Sequence, residues 1–279
     1  MIVRKTAIAL LLPLLLAHPA AAQRGTFTPS AVSGAQEVAY GSCVSEANAI
    51  DDRIANCRIF LQHGDRGDVS ASLVLGELYQ TTGDYPKAID VYNTALESLS
   101  DNGDSMIGLG GRASEGRKLH NLRAALLTAL AVTHAEAGQA DLFQTDMDGI
   151  AATAWDDDAK NISLCWVRAV AGRELEKALD DCGKFVSANP NSSEGLLVRA
   201  LVQFKLGKPA ECVTDSDAAL ALKPNRADVL YVRGVCKRQT GDAAGADTDI
   251  AAALKSQPDL ASLYAKYGVP ANNAPATAH

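Results

Sequence analysis

Residues 190–224 read PNSSEGLLVRALVQFKLGKPAECVTDSDAALALKP, opening and closing on prolines thirty-four positions apart. Pro258 follows Pro224 after the same step, which also links Ala178, Cys212 and Ala246, then Asp181, Asp215 and Asp249, then Val186, Leu220 and Leu254. Arg199 with Arg233 and Gly207 with Gly241 obey it too. Several independent columns in one register define an internal repeat. Within the quoted stretch Leu196, Leu197, Ala200, Leu201 and Phe204 recur at helical spacing, and Gly207-Lys208-Pro209 stops that helix. Cys212, Val213, Ser216, Ala219 and Leu220 mark one face of a second helix, which Pro224 ends. The next stretch repeats the pattern with Leu230, Gly234 and Val235, a turn at Gly241-Asp242, then Ala246, Ile250, Ala253 and Leu254. Small residues on the first helix (Ala200, Gly234) face small residues on the second (Cys212, Ala246), so the two can approach closely with few aromatics between them. No strand-type alternation of comparable length occurs, and the fold class reads as all-α.

The chain has 279 residues, 47% of them apolar and 21% charged, the balance of a globular protein rather than a disordered one. Arg4 and Lys5 precede an apolar run from Ala7 to Ala17, and Ala20-Ala21-Ala22 stand before Gln23. Residues 1–22 therefore read as a secretory signal peptide. About 20 apolar residues are needed to cross a bilayer, and Pro13 leaves this run short and broken. No cysteine follows the small residues to carry a lipid anchor, and no later segment reaches spanning length. Without Arg4 and Lys5 the charge becomes 24 − 33 = −9, which repels phosphate backbones and anionic lipid. Neither nucleic-acid binding nor membrane insertion of the cleaved chain is expected. Export gives meaning to Cys43, Cys57, Cys165, Cys182, Cys212 and Cys236, because disulfides persist outside the cytosol. Their spacing alone leaves fifteen complete pairings open. The closest two are fourteen apart, so neither a zinc site nor a C-x-x-C redox pair is supported.

These units resemble the tetratricopeptide repeat. The clearest match is Leu75-Gly76-x-x-Tyr79, then Gly83-Asp84-Tyr85, Ala88-Ile89, Tyr92 and Ala95-Leu96, with Ser100 in place of the closing proline. Units at 159–192, 193–226 and 227–260 are similar, although Arg173 stands where the turn glycine belongs and Gly172 comes one residue early. A degenerate unit fits 124–157, with Gly138 at its turn and Phe143 in the small-residue column, and 36–68 looks like a half-eroded first unit. The resemblance implies an α-solenoid of stacked antiparallel helix pairs. Residues 36–102 hold the N-terminal units and 119–267 the C-terminal array, closed by a capping helix that uses Leu260, Leu263, Tyr264 and Tyr267. Between them, 103–118 carries Gly103, Gly108, Gly110, Gly111 and Gly116 and reads as a flexible linker. Residues 23–35 and 268–279 are expected to be mobile and disordered ends. The repeat frame also suggests which cysteines meet. Cys165 and Cys182 lie at columns that pack within one hairpin, Cys212 opens a second helix on which the helix of Cys236 docks, and Cys43 and Cys57 remain. Each such bridge is worth about 3 kcal/mol in the chain-entropy account.

Signs of chemistry are sparse. No H-E-x-x-H, Walker loop or G-x-S-x-G occurs. Gly111-Arg-Ala-Ser114-Glu-Gly116 has one residue too many for a nucleophile elbow and no strand before it. Gly108-Leu109-Gly110-Gly111 lacks the lysine and helix start that hold a phosphate. Asp156-Asp157-Asp158 fits a helix start, where the dipole favours acid, better than a calcium loop. No catalytic residue, metal site or cofactor is expected. Arg199 with Asp215 and Arg233 with Asp249, each sixteen apart, read as ion pairs between the two helices of a unit, and Trp155 and Trp166 as core residues.

The resemblance implies that first helices line a concave groove. Its columns carry Leu73, Glu77 and Gln80 early, then Ser163 and Val167, then Leu197, Leu201, Phe204 and Lys205, then Tyr231, Val235, Arg238 and Gln239. Leu197, Leu201, Phe204 and Tyr231 suit either the apolar anchors of a bound peptide or the packing of the capping helix. The lysine and asparagine columns with which chaperone-binding relatives clamp a carboxylate are absent. The expected function is an exported, non-catalytic scaffold that holds a protein or peptide partner in its groove, in the periplasm of a Gram-negative bacterium. Two alternatives stay open. One is an enzyme subunit or small-molecule carrier using Ser114, Arg117 and His120 in the 103–123 insertion, and the other a self-associating structural protein.

Overall fold

The computed structural model describes residues 34–45, 47–63, 68–107, 113–153 and 157–272, which form thirteen α-helices and no strand. They divide into two compact units, residues 1–155 and 156–279. The first holds the hairpins α1 (Gly34–Val44) with α2 (Ile50–His63), α3 (Val69–Thr82) with α4 (Tyr85–Ile107), and α5 (Ala113–Glu136) with α6 (Ala140–Thr153). The second holds α7 (Asp157–Ala171) with α8 (Leu175–Ala188), α9 (Ser193–Lys205) with α10 (Pro209–Leu222), and α11 (Ala227–Gln239) with α12 (Ala243–Ser256), followed by a short α13 (Leu260–Lys266). Inside each unit every hairpin also packs on the next, and first helices touch first helices. That is the architecture of a helical solenoid.

Local chemistry sets the helix boundaries. Asp68, Ser192 and Asp242 cap α3, α9 and α12 by accepting from the N–H groups of Ala71, Gly195 and Gly245 at 2.8, 3.1 and 2.9 Å. Pro209 opens α10, where its missing N–H costs nothing. At the end of α9, Gly207 takes φ 69°, and the N–H groups of Gly207 and Lys208 reach back to the carbonyls of Phe204 and Gln203 at 3.0 and 2.8 Å. This left-handed closure costs little only at glycine. Close helix approach has its own signature at Gly234 of α11. A Cβ there would stand 2.7 Å from Ile250 Cγ1 and 3.0 Å from the Ala246 carbonyl of α12.

Tyr92, Leu78, Leu126 and Leu130 form the heart of the first unit, and Val167, Leu197, Leu201 and Tyr231 that of the second. The three cysteine pairs form as the repeat frame suggested. Cys43 bonds Cys57 across α1 and α2, Cys165 bonds Cys182 across α7 and α8, and Cys212 of α10 bonds Cys236 of α11. Their Cα separations are 4.7, 5.3 and 6.1 Å. The first two staple a hairpin, and the third staples two hairpins together.

Two boundaries differ from expectation. Residues 103–107 complete α4 and 113–118 begin α5, and α5 packs on both α3 and α4. The expected linker is thus largely helical, and the division of the chain falls at 155/156 instead. A glycine costs a helix only about 1 kcal/mol, so Gly103 and Gly116 do not break helices of 23 and 24 residues. At the other end Gly268 and Val269 are ordered rather than part of a loose tail, for Val269 is fully buried. The expected signal peptide, residues 23–33, 108–112 and 273–279 lie outside the described residues, while Gly34 and Ala35 already belong to α1.

Candidate functional site

In the second unit α9 lies against both α7 and α11, so three first helices stand side by side. Their shared face carries the apolar columns expected to line an open groove. That face is covered. Leu197 and Leu201 are 1% exposed, Tyr231 0% and Val235 1%, with Phe204 buried beside them. Over Tyr231 and Trp166 the cover is α13 and the residues just after it. Tyr264 of α13 stacks at 5.0 Å on Tyr231, whose hydroxyl donates to the Val269 carbonyl at 3.2 Å. Tyr267 meets Trp166 of α7 edge to face at 5.7 Å. Leu260, Tyr264 and Tyr267, spaced i, i+4 and i+7, point inward, while Ser262, Ala265 and Lys266 face solvent. Leu263, expected in the same contact, is only half-buried. Of the two uses open to these columns, packing of the terminal helix is the one this structure displays.

Lys205 sits at the edge of the cover. Its ammonium donates to the Val170 carbonyl at 3.2 Å, near the end of α7, and stands 3.8 Å from where a Cβ on Gly268 would be. Two helix C-termini, those of α7 and α13, thus converge on one cation, as their dipoles favour. Burial lowers the Lys205 pKa to about 8. At the far edge Arg238 is held by Asp247 at 2.6 Å and Gln239 is exposed.

The α7 columns need correction. Ser163 and Val167 are buried, at 2% and 0% exposure, and do not face the cover. Gly172, not residue 173, adopts the positive φ that ends α7, and the extra residue before α8 is absorbed at Glu174, φ 48°. Counting from the turn glycines, α7 is therefore thirty-five residues from α9, and the partner of Leu201 is Trp166. Ser163 and Val167 instead match Val198 and Val202, both fully buried. Sequence reasoning placed Trp166 in the core and missed its role; aligning Gly172 with Gly207 would have found it. In the first unit Gln80 is no open groove residue either. It is buried, donating to Thr133 Oγ1 at 2.8 Å and accepting from Tyr92 Oη at 3.1 Å, so it ties α3 to α4 and α5. Leu73 and Glu77 are half-buried.

Ion pairs run behind this face. Arg199 grips Asp215 with two bonds of 2.7 and 2.6 Å, and Arg233 grips Asp249 with two of 2.7 Å. In α7 the arginine column, counted from the turn glycine, is occupied by Leu164, so Asp181 pairs with Arg168 one turn on. The aspartate column continues into the first unit, where Asp146 meets His134 at 2.6 Å. Burial raises the carboxyls of Asp146 and Asp181 above their ordinary range, against the hydrogen bond with His134 in the first and the pull of Arg168 and Lys184 in the second. Burial would raise Asp249 as well, but hydrogen bonds from Arg233 and Lys237 outweigh it and hold that carboxyl low.

Nothing else assembles a reactive centre among the described residues. His120 Nδ1 lies 3.0 Å from the Thr153 carbonyl, which only accepts, so this nitrogen carries the proton. Ser114 and Arg117 lie in the first two turns of α5, upstream of His120 on the same helix. Asp157 and Asp158 stand in the first turn of α7, where acid is favourable. No cluster of metal-ligating side chains occurs among the described residues, and none of their helices is long and apolar enough to cross a membrane.

Helical hairpins with a glycine turn, each leaning on the next, define a helical repeat protein. The tetratricopeptide repeat model matches residues 69–98, within the α3/α4 hairpin, so the chain carries a tetratricopeptide repeat there. No curated protein matches the sequence. Among solved structures it is similar to a tetratricopeptide repeat protein from Parabacteroides merdae, at 15% identity and a TM-score of 0.43 over 84% of this chain and 97% of that one. It is also similar to MamA, at 16% and 0.40 over 67% and 97%. YrrB, described as a TPR protein with an unusual peptide-binding site, is 17% identical with a TM-score of 0.39 over 75% and 97%.

Proposed function

We propose that this protein is an exported, non-catalytic scaffold that holds a protein partner on the first-helix face of its second unit, in the periplasm of a Gram-negative bacterium. One observation carries the reading. Trp166, Leu197, Leu201, Phe204, Tyr231 and Val235 are buried apolar side chains on three neighbouring first helices, and over Trp166 and Tyr231 the cover is a seven-residue helix and the residues just after it. A hairpin array needs only a polar cap at its end, and so large an apolar face exceeds that need. The basic, apolar and small-residue pattern of residues 1–22, with all six cysteines paired, supports export.

Two measurements test the parts separately. N-terminal sequencing of the chain recovered from envelope fractions should begin at Gln23, and a chain that keeps Met1 overturns export. A photocrosslinker at Gln239, the exposed edge of the face, should trap one recurrent protein in growing cells, and Tyr231→Asp should abolish the adduct. An adduct indifferent to Tyr231, or none above the unirradiated control, overturns the scaffold reading.

A further inference from the structure

The segment that covers the first-helix face has the properties of a ligand rather than of a permanent wall. It follows α12 through Gln257-Pro258-Asp259 and still touches that helix, while two of its buried side chains, Tyr264 and Tyr267, reach across to Tyr231 of α11 and Trp166 of α7. A helix of seven residues does not hold itself together in water, so its order comes from the surface beneath it. Elements with so little structure of their own are the first to open. The surface is shaped for a helix that stops at one place. Lys205 faces the last turn of α13 and the end of α7, and so favours a ligand whose helix terminates there with its carbonyls toward the ammonium. One bond is left unmade. Trp166 Nε1 is buried beside Tyr267 without an acceptor among the described residues, and a buried donor without a partner costs free energy that another ligand can recover.

Resting on the scaffold reading above, we propose that residues 257–269 are a built-in stand-in for the partner. The partner is a protein segment forming an amphipathic helix with apolar or aromatic side chains at i, i+4 and i+7, ending its last turn beside Lys205 and offering an acceptor to Trp166. The chain's own segment must leave before that helix can enter, so the resting protein is closed and its apparent affinity is reduced by the fraction of time the segment stays home.

The probe is a fluorescent synthetic peptide of residues 257–272, titrated against the full mature chain and its variants. Tyr264→Ala with Tyr267→Ala in the chain loosens the resident segment, and the intact peptide should then bind at least about tenfold more tightly than to the unaltered chain. Adding Tyr231→Ala should remove that binding, and a peptide carrying the two alanines should not bind at all. Equal binding to both chains, or none to a loosened chain whose α9 amides remain protected, overturns the proposal. Hydrogen exchange on the unaltered chain keeps the test valid should the loosened chain misfold. Amides of 260–269 should exchange well ahead of those in α9 and α11, and exchange of all three as one unit makes the segment a fixed cap and ends the idea. Concentration-dependent dimers that exchange the segment between two copies would reassign the face to self-association and also overturn it. A recurrent adduct at Gln239 alongside failed peptide binding leaves the scaffold reading standing and removes this one alone.

Discussion

Arg199 and Asp215 show how the array uses charge. The carboxylate side chain is 8% exposed and the guanidinium 25%, and the bidentate grip leaves neither unpaired. Removing the cation strands a buried charge, so Arg199→Ala should cost about 3 kcal/mol, near the low end for breaking a buried pair. Lys184→Ala breaks a pair whose side chains are 55% and 66% exposed, and should leave stability nearly unchanged. Urea unfolding of the two variants checks the contrast, and equal losses refute it. Lys205 works the other way. Its pKa falls with burial, so the folded chain bears the cost of a desolvated ammonium below about pH 8 and is relieved of it between there and its ordinary 10.5. Lys205→Met should therefore raise the melting temperature at pH 7, and that gain over the unaltered chain should shrink at pH 10. A pH-independent difference would show that the ammonium is not desolvated as argued.

Elements here are joined by close approach more than by bulk. Gly234 brings α11 against Ile250 and the Ala246 carbonyl of α12, so Gly234→Ala overpacks that contact and should cost about 1–3 kcal/mol. Backbone atoms cannot swing aside as a long side chain can, so hydrogen exchange should rise in α11 and α12 while α7 and α8 stay as before. Uniform change across the second unit would mean that the hairpin has no stability of its own. The hairpins, their turns and all three cysteine pairs were legible in the sequence, because each joins residues within one hairpin or the next. Gly207 and Gly241 announced their turns; Gly172 did so too, but counting from the prolines hid it and misassigned Ser163 and Val167. Glycines at 103 and 116 suggested a break, yet both lie inside helices, and α4 packs on α5.

For the whole molecule, repeat arrays hold together through nearest-neighbour interfaces. Cys212–Cys236 is the covalent link across such an interface, between α10 and α11. Replacing both cysteines with serine should cost about 3 kcal/mol and split the unfolding of the second unit, with α11, α12 and α13 opening before α9 and α10. Calorimetry that still shows one sharp transition for that unit would argue against a nearest-neighbour account. The sequence by itself determined the helix pairs, their thirty-four-residue beat, the disulfides and the Arg–Asp pairs, since neighbouring elements of a solenoid meet through columns the period makes visible. Only the tertiary structure decided that the first-helix face of the second unit is closed, and by what. Trp166 and Tyr267 are 101 residues apart and belong to no common column. Their contact follows from where the last segment folds back, and periodicity carries no information about that.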